Sequence, residues 1–150
     1  MLCTVLILVL LTASIMVGLQ LCNKTFDSTV THSESSILAE SLNALICDEL
    51  RYATKIKTSG GKLTSYSSPS KGSNANITIG SDGHVLVKGT PILGKSAYVR
   101  DAKIKNLSIL YDKPKKMFTV SYEIYCENYK GEQIVVENEF YQVLVLDKRG

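Results

Sequence analysis

Residues that could carry out catalysis are few and widely separated in this sequence. Its two histidines, His32 and His84, have no second ligand at a spacing typical of a metal site. The sequence has no Gly-x-Ser-x-Gly elbow, no phosphate-binding glycine loop before a helix and no Cys-x-x-Cys pair. We therefore predict a protein without enzymatic activity, with no catalytic residue, metal, cofactor or small-molecule substrate.

The four cysteines have two interpretations. Cys3 and Cys22 lie in an apolar segment, where thiols behave as small apolar side chains. Cys47 adjoins a predicted buried stripe, and Cys126 lies at the end of a predicted strand. If the helix packs on that strand outside the membrane, Cys47 and Cys126 could form a disulfide; otherwise both are free thiols.

A short basic cluster is the main candidate for ligand binding. Lys113, Lys115 and Lys116 occupy a predicted turn between two strands. Such a cluster can attract DNA, another polyanion or acidic lipid headgroups. A solvated turn that protects a sheet edge is the favoured interpretation, because few aromatic residues lie among these lysines.

Charge is distributed very unevenly along the 150 residues. Residues 1–22 contain no acidic or basic side chain and no histidine, so all 17 Lys and Arg and all 14 Asp and Glu lie in 23–150. Residues 2–22 would form a helix of about 30 Å, which matches the hydrocarbon core of a bilayer. We predict a membrane span, with a buried core helix as the alternative, and exclude a free cytosolic enzyme. A cleaved signal is disfavoured because its basic start and small-residue cleavage site are absent.

The apolar segment also contains small residues that permit close helix packing. We expect contact with lipid or with neighbouring helices at Leu2, Leu6, Leu10, Ala13, Ser14 and Gly18. The helix should continue, because an apolar series with helical spacing occupies residues 37–56 and no Pro precedes Pro69. We predict one helix from near Met1 to about Lys57.

The remainder of the chain predicts a sheet. Residues 58–76 are rich in Ser and Gly and are expected to form a loop, and 77–150 then show an alternating pattern typical of strands, with a hairpin at the Gly80–Gly83 sequence. The expected fold is α+β: a long N-terminal helix, spanning the membrane at 1–22 and amphipathic at 23–57, packed on an antiparallel meander of four or five strands. The predicted helix–sheet core comprises Ile37, Leu38, Leu42, Leu45, Ile46, Leu50, Phe118, Val120, Tyr122 and Ile124.

This order of parts resembles the type IV pilin-like family, which includes minor pilins and the pseudopilins of type II secretion and competence systems. The resemblance rests on SSILAESLNALICDELRYATKI, a variable loop, and the segments KIKNLSILYD, FTVSYEIYCENYKGEQ and VENEFYQVLVL. The run at 48–53 is especially similar to that of minor pilin-like proteins from Gram-positive bacteria. The resemblance implies a single-pass bacterial membrane protein with an extracytoplasmic head, whose N-terminal helix bundles with other pilin-like subunits into a filament.

One departure from the family pattern concerns the start of the chain. Family members carry a basic leader ending in Gly and a Glu shortly after the cleavage site, and this sequence has neither. MLCTVLILVLL resembles the stretch that follows this Glu, which predicts that Met1 is an internal start. Without the leader, prepilin peptidase could not process the chain as given. The alternative function is a membrane-anchored extracytoplasmic binding module that contacts DNA or another polyanion.

Overall fold

One uninterrupted helix organises the structure, a computed structural model that describes residues 2–128 and 131–146. Helix α1 runs Leu2–Arg51, and its 50 residues make it about 75 Å long. The prediction that it reaches Lys57 is wrong. The alternation of β-branched Thr54, Ile56 and Thr58 favours a strand, and this segment pairs in the sheet instead of extending the helix.

The strands follow α1 without a further long helix. Two 3₁₀ turns, Lys95–Ala97 and Val99–Asp101, separate the sixth strand from the seventh. The strands are β1 (Thr54–Ser59), β2 (Lys62–Ser68), β3 (Gly72–Ala75), β4 (Ile77–Ile79), β5 (Val85–Val87), β6 (Thr90–Pro91), β7 (Lys103–Asp112), β8 (Met117–Glu127) and β9 (Gln133–Leu144).

The strands form two antiparallel sheets. The large sheet has the order β1-β2-β7-β8-β9, with β3 also paired to β2, and the small sheet has the order β4-β5-β6. In the large sheet, β8 lies between its sequence neighbours, so that Val120 is opposite Ile109 on β7 and Tyr141 on β9. The predicted α+β architecture, a long helix packed against an antiparallel sheet, is confirmed.

The predicted hairpin is present between β4 and β5. Its turn is closed by a hydrogen bond of 2.8 Å from the backbone N–H of Gly80 to the carbonyl of His84. Gly83 has a φ of +80°, and a Cβ there would lie 2.7 Å from the Cβ of Lys103. Only glycine therefore fits this turn against the start of β7.

The prediction of a loop at 58–76 is wrong. Gly60 and Gly61 form a tight turn between β1 and β2 with positive φ, and β3 follows further along the segment. The predicted loop therefore supplies strands to the large sheet, including β2, which pairs with β7 through Lys62 and Leu110. Thr64, Ser65 and Ser67 keep at least partial contact with solvent, and the buried Ser68 Oγ accepts a hydrogen bond of 3.1 Å from the backbone N–H of Lys71.

The core lies between the second half of α1 and the helix-facing side of the large sheet. Eight of the ten predicted core residues are buried there: Leu38, Leu42, Ile46, Leu50, Phe118, Val120, Tyr122 and Ile124. The prediction is wrong for Ile37, which is 62% exposed, and for Leu45, which is 36% exposed. Their positions lie on the flanks of the stripe formed by Leu38, Leu42 and Ile46, and a flat sheet contacts only a narrow face of a helix.

The core also contains tyrosines whose hydroxyls are removed from water. Burial raises the pKa of Tyr66, Tyr122 and Tyr141 above the ordinary value, and the neighbouring carboxylate of Glu49 acts in the same direction on Tyr66. In an unfolded chain these groups ionise near pH 10. The folded state therefore holds protons that the unfolded state releases, so stability must fall as the pH rises above about 10.

We accordingly predict that the free energy of unfolding of the detergent-solubilised chain is constant near neutral pH and decreases between pH 10 and about 12. Denaturant unfolding followed by circular dichroism at each pH measures this decrease. Tyr141→Phe is the informative variant, because the Tyr141 hydroxyl is buried without a hydrogen-bond partner in the part of the chain that the structure describes. The free energy of unfolding of this variant should decrease less above pH 10 than that of the wild type. Identical pH profiles would contradict a contribution from the Tyr141 hydroxyl.

Candidate functional site

The most unusual surface of the molecule is the part of α1 that extends away from the sheets. Every side chain from Cys3 to Phe26 is exposed. This protruding helix, residues 3–26, carries twelve exposed large apolar side chains between Val5 and Leu21, including the predicted contact residues Leu6 and Leu10. The helix is long and apolar enough to cross a membrane, and the share of its apolar part buried inside the molecule is 0%. Leu2 belongs to α1 by its backbone, while its side chain lies outside the described part of the structure.

Two hydroxyl groups in the apolar part of the protruding helix bond within the helix. The Thr12 hydroxyl donates to the carbonyl of Leu8 at 3.0 Å, and the Ser14 hydroxyl donates to that of Leu10 at 2.9 Å. Internal bonding lowers the cost of placing these groups in an apolar environment. The helix is therefore compatible with lipid despite its hydroxyls.

One face of the protruding helix is flat enough for a second helix to approach. Ser14 and Gly18 are four residues apart and so lie on the same face, with Ala13 beside them. A Cβ added at Gly18 would meet no atom within 4 Å, so nothing in the described structure covers this position. Small residues at this spacing allow helix backbones to pack closely in a membrane.

A charged clamp fixes α1 where it joins the sheets. Arg100 lies in the second 3₁₀ turn and binds two carboxylates of α1: its Nη1 is 2.5 Å from Asp27 Oδ1 and its Nε is 3.0 Å from Glu34 Oε2. The hydrogen bond to Asp27 is the main cause of an upward shift in the pKa of Arg100. The clamp joins two positions of α1 that lie two helical turns apart to the connection before β7.

The backbone at the clamp is strained. Arg100 and the following Asp101 have φ values of 53° and 50°, in the left-handed region that non-glycine residues rarely adopt. Each such conformation costs about 1 kcal/mol. The ion pairs to Asp27 and Glu34, together with the 2.6 Å contact between Asp101 and Lys103, offset this cost.

Further along α1, polar side chains fix the helix on β8 and β9. Asn43 Nδ2 donates to Glu139 Oε2 at 2.6 Å, and the Tyr122 hydroxyl donates to Asn43 Oδ1 at 2.7 Å. Ser36 donates to Glu137 Oε2 at 3.3 Å. Because these bonds border the apolar stripe, they fix the rotation of the helix as well as its position.

The two histidines are separated by the fold. His32 is exposed on α1 with Nδ1 3.3 Å from Glu137 Oε2, whereas His84 is largely buried and stacks on Tyr98 with 3.8 Å between ring centroids. Among residues 2–128 and 131–146, no three His, Cys, Asp or Glu side chains are grouped so that they could hold a metal ion.

The structure does not support a disulfide between Cys47 and Cys126, because both are free thiols. Cys126 lies among the groups around Glu34 and Arg100, and burial raises the pKa of its thiol. Cys47 lies near Tyr122 and Tyr141, further along the helix. Glu34 and Cys47 are 13 residues apart on α1, a separation of about 20 Å that rules out a bridge.

The lysine cluster lies at the end of the sheets remote from the protruding helix. Lys113, Lys115 and Lys116 are exposed in the turn between β7 and β8, and Lys115 Nζ is 3.8 Å from Asp112 Oδ2. The Lys116 carbonyl accepts a hydrogen bond from Val145, next to the bond from Leu146 to Arg51 at the end of α1. The cluster and the protruding helix are thus at opposite ends of the molecule.

Comparison with protein-family models, with curated proteins and with solved structures gave no match. The structural description of the site therefore rests on its own geometry. The clamp at Arg100 was not predicted from the sequence, since Asp27, Glu34 and Arg100 are far apart in the chain and nothing in the sequence indicates a left-handed arginine.

The clamp yields a direct prediction. Arg100→Met, which keeps an apolar stem and removes the charge, should lower the free energy of unfolding by about 1 kcal/mol or slightly more, because two half-buried carboxylates lose their partner. Arg100→Lys should lose less stability than Arg100→Met, because the ammonium keeps the positive charge although it cannot bind both carboxylates as the guanidinium does. Denaturant unfolding in detergent measures both variants. Equal stability of Arg100→Met and the wild type would show that the clamp contributes nothing.

Proposed function

We propose that this chain is a membrane-anchored structural subunit, similar to a minor pilin or pseudopilin, that assembles with other pilin-like subunits through its protruding helix. The observation that carries the proposal is the all-round exposure of the uncharged residues 3–22 on a helix continuous with the core of the head, which comprises residues 27–128 and 131–146. Such a surface is not stable in water and needs lipid or other apolar helices around it. In this proposal lipid surrounds the helix before assembly and neighbouring helices replace it in a filament.

The small-residue face favours assembly over simple anchoring. An anchor requires only apolar length, whereas Ser14 and Gly18 on one face provide a place for a second helix backbone. The exposed backbone region around Gly18 would be covered in the assembled state. The proposal places the head outside the cytoplasm, at the bacterial cell membrane or on a surface filament, as the pilin resemblance implies.

Cysteine cross-linking in membranes tests the assembly. In a full chain with the four native cysteines replaced, Ser14→Cys should form dimers on mild oxidation. Met16→Cys is the matched control, since position 16 lies about 160° around the helix from position 14. We expect cross-linking at position 14 to exceed that at 16 clearly.

A second substitution tests the packing mechanism. Gly18→Leu, added to Ser14→Cys, should remove most of the cross-linked dimer because a large side chain separates the two backbones. Cross-linking at position 14 that does not exceed the control, or that is unaffected by Gly18→Leu, would overturn assembly through this face.

A membrane-anchored binding module is the second candidate function. It is favoured by the position of Lys113, Lys115 and Lys116, which are exposed at the end of the head furthest from the membrane anchor. At this position they would be accessible to DNA or another polyanion. Binding carried by these lysines should weaken steeply with salt because counterions are released on contact.

For the second candidate we predict salt-sensitive binding of the detergent-solubilised chain to double-stranded DNA, measured by fluorescence anisotropy. Replacing Lys113, Lys115 and Lys116 together with Gln should lower the affinity and flatten the salt dependence. The same triple replacement at Lys88, Lys95 and Lys105, which are also exposed, removes equal charge away from this turn and serves as the control. Equal losses in both variants would exclude the lysine cluster as the contact surface.

A further inference from the structure

A cleft lies where the protruding helix leaves the head. It has a volume of about 320 Å³. One wall is formed by the turns of α1 between Lys24 and His32, and the other by Ile134, Val135 and Val136 at the start of β9, with Asn128 at the side. The cleft lies at the same end of the head as the apolar helix, so its position relative to a membrane follows from the helix.

Helix geometry gives the depth of this cleft. The uncharged segment ends at Cys22, and Lys24 and Ser28 follow it by two and six residues, so they lie about 3 and 9 Å beyond the hydrocarbon boundary. The headgroup layer on each side of a bilayer is about 5–8 Å thick. Lys24, on the membrane side of the cleft, is therefore within the headgroup layer, and Ser28 lies just beyond its outer edge.

The position of β9 against α1 agrees with this depth. Glu137 contacts His32 and Ser36, which fixes the level of β9 against α1. The chain from Glu137 back to Val135 runs towards the protruding helix by about 7 Å. Val135 therefore lies near the level of Ser28, in agreement with the residues that line the cleft.

The lining of the cleft combines an apolar wall with one cation. Ile134 and Val135 are 43% and 45% exposed, although they are among the most apolar residues of the head. Lys24 is exposed, and within the described ranges no carboxylate forms an ion pair with it. The nearby Asp27 is engaged by Arg100, and Glu137 faces His32, so the carboxylates around the cleft already have partners.

We propose that this cleft holds the headgroup of a membrane phospholipid, with Lys24 beside the phosphate and Ile134 and Val135 against the outermost part of the headgroup. The proposal rests on the insertion of the protruding helix that the proposed function requires. Its consequence is that the base of the head rests against the outer side of the headgroup layer. Apolar residues at the water interface of a membrane gain from such burial, and a lysine there is attracted to lipid phosphate.

Fluorescence quenching by spin-labelled lipids tests the proposal. The full chain without native cysteines is labelled with an environment-sensitive dye at Val135→Cys and reconstituted at low protein density into phosphatidylcholine vesicles containing headgroup spin-labelled lipid. Phe140→Cys is the matched control, because it is an exposed residue of the same strand about 17 Å further from the membrane. Quenching at position 135 should clearly exceed that at position 140, because position 140 lies well outside the headgroup layer.

A third label separates this inference from the proposed function. A dye at Leu10→Cys should be quenched by a spin label on the acyl chain when the helix is inserted. If the acyl-chain label quenches position 10 while the headgroup label quenches positions 135 and 140 equally weakly, the lipid cleft is overturned and insertion of the helix is not. No quenching at position 10 overturns insertion, and the lipid cleft with it.

A neighbouring subunit is the other possible occupant, and the same samples distinguish it. Protection of position 135 from a water-soluble quencher without quenching by the headgroup spin label would show that protein fills the cleft. The variant Lys24→Gln should show weaker quenching by the headgroup spin label at position 135 than the chain that keeps Lys24. This difference should be larger in vesicles that contain phosphatidylglycerol. Equal quenching in both lipid mixtures and both variants would overturn the role of Lys24.

Discussion

The structure depends on a single constraint: one continuous helix has to be covered by two different surroundings. From Cys3 to Cys22 the helix presents apolar side chains in all directions, whereas from Thr31 onwards only one stripe is buried. The first pattern suits lipid or a bundle of helices, and the second suits a sheet with one apolar face. Because backbone hydrogen bonds are satisfied within the helix in both regions, α1 can pass from one to the other without a break.

The junction between these two regions is where polar contacts are concentrated. Asp27 and Glu34 bind Arg100, and Glu137 lies against His32 and Ser36. Apolar packing alone would let a helix rotate or slide on a flat sheet, since the hydrophobic effect is not directional. Charged hydrogen bonds have defined geometry and therefore fix the level at which the helix leaves the head. The strained backbone at Arg100 is a cost of reaching both carboxylates from one short turn.

Regular periodicity made most of the fold predictable, and the exceptions have physical reasons. The uncharged first 22 residues and the periodic patterns after them were sufficient to predict the helix, strands β4, β5 and β7 to β9, and most of the core. The segment 58–76 was misassigned because its strands are short and rich in Ser and Gly, so pairing with β7 rather than propensity determines their structure. Ile37 and Leu45 have the right spacing for a stripe but lie at its edges, where contact depends on the curvature of the sheet. The clamp needs residues 27, 34 and 100 together, a juxtaposition that tertiary structure alone creates.

The proposed assembly has a particular energetic basis. Lipid tails are as apolar as leucine, so moving the protruding helix from lipid into a bundle gains little from the hydrophobic effect. The large side chains between Val5 and Leu21 would keep the helix in the membrane but would not select its neighbours. Selection then has to come from close packing at Ser14 and Gly18 and from contacts between heads. Because α1 contains no Pro or Gly between Gly18 and Arg51, it joins these two sets of contacts rigidly, and a mismatch at either end would oppose assembly at the other.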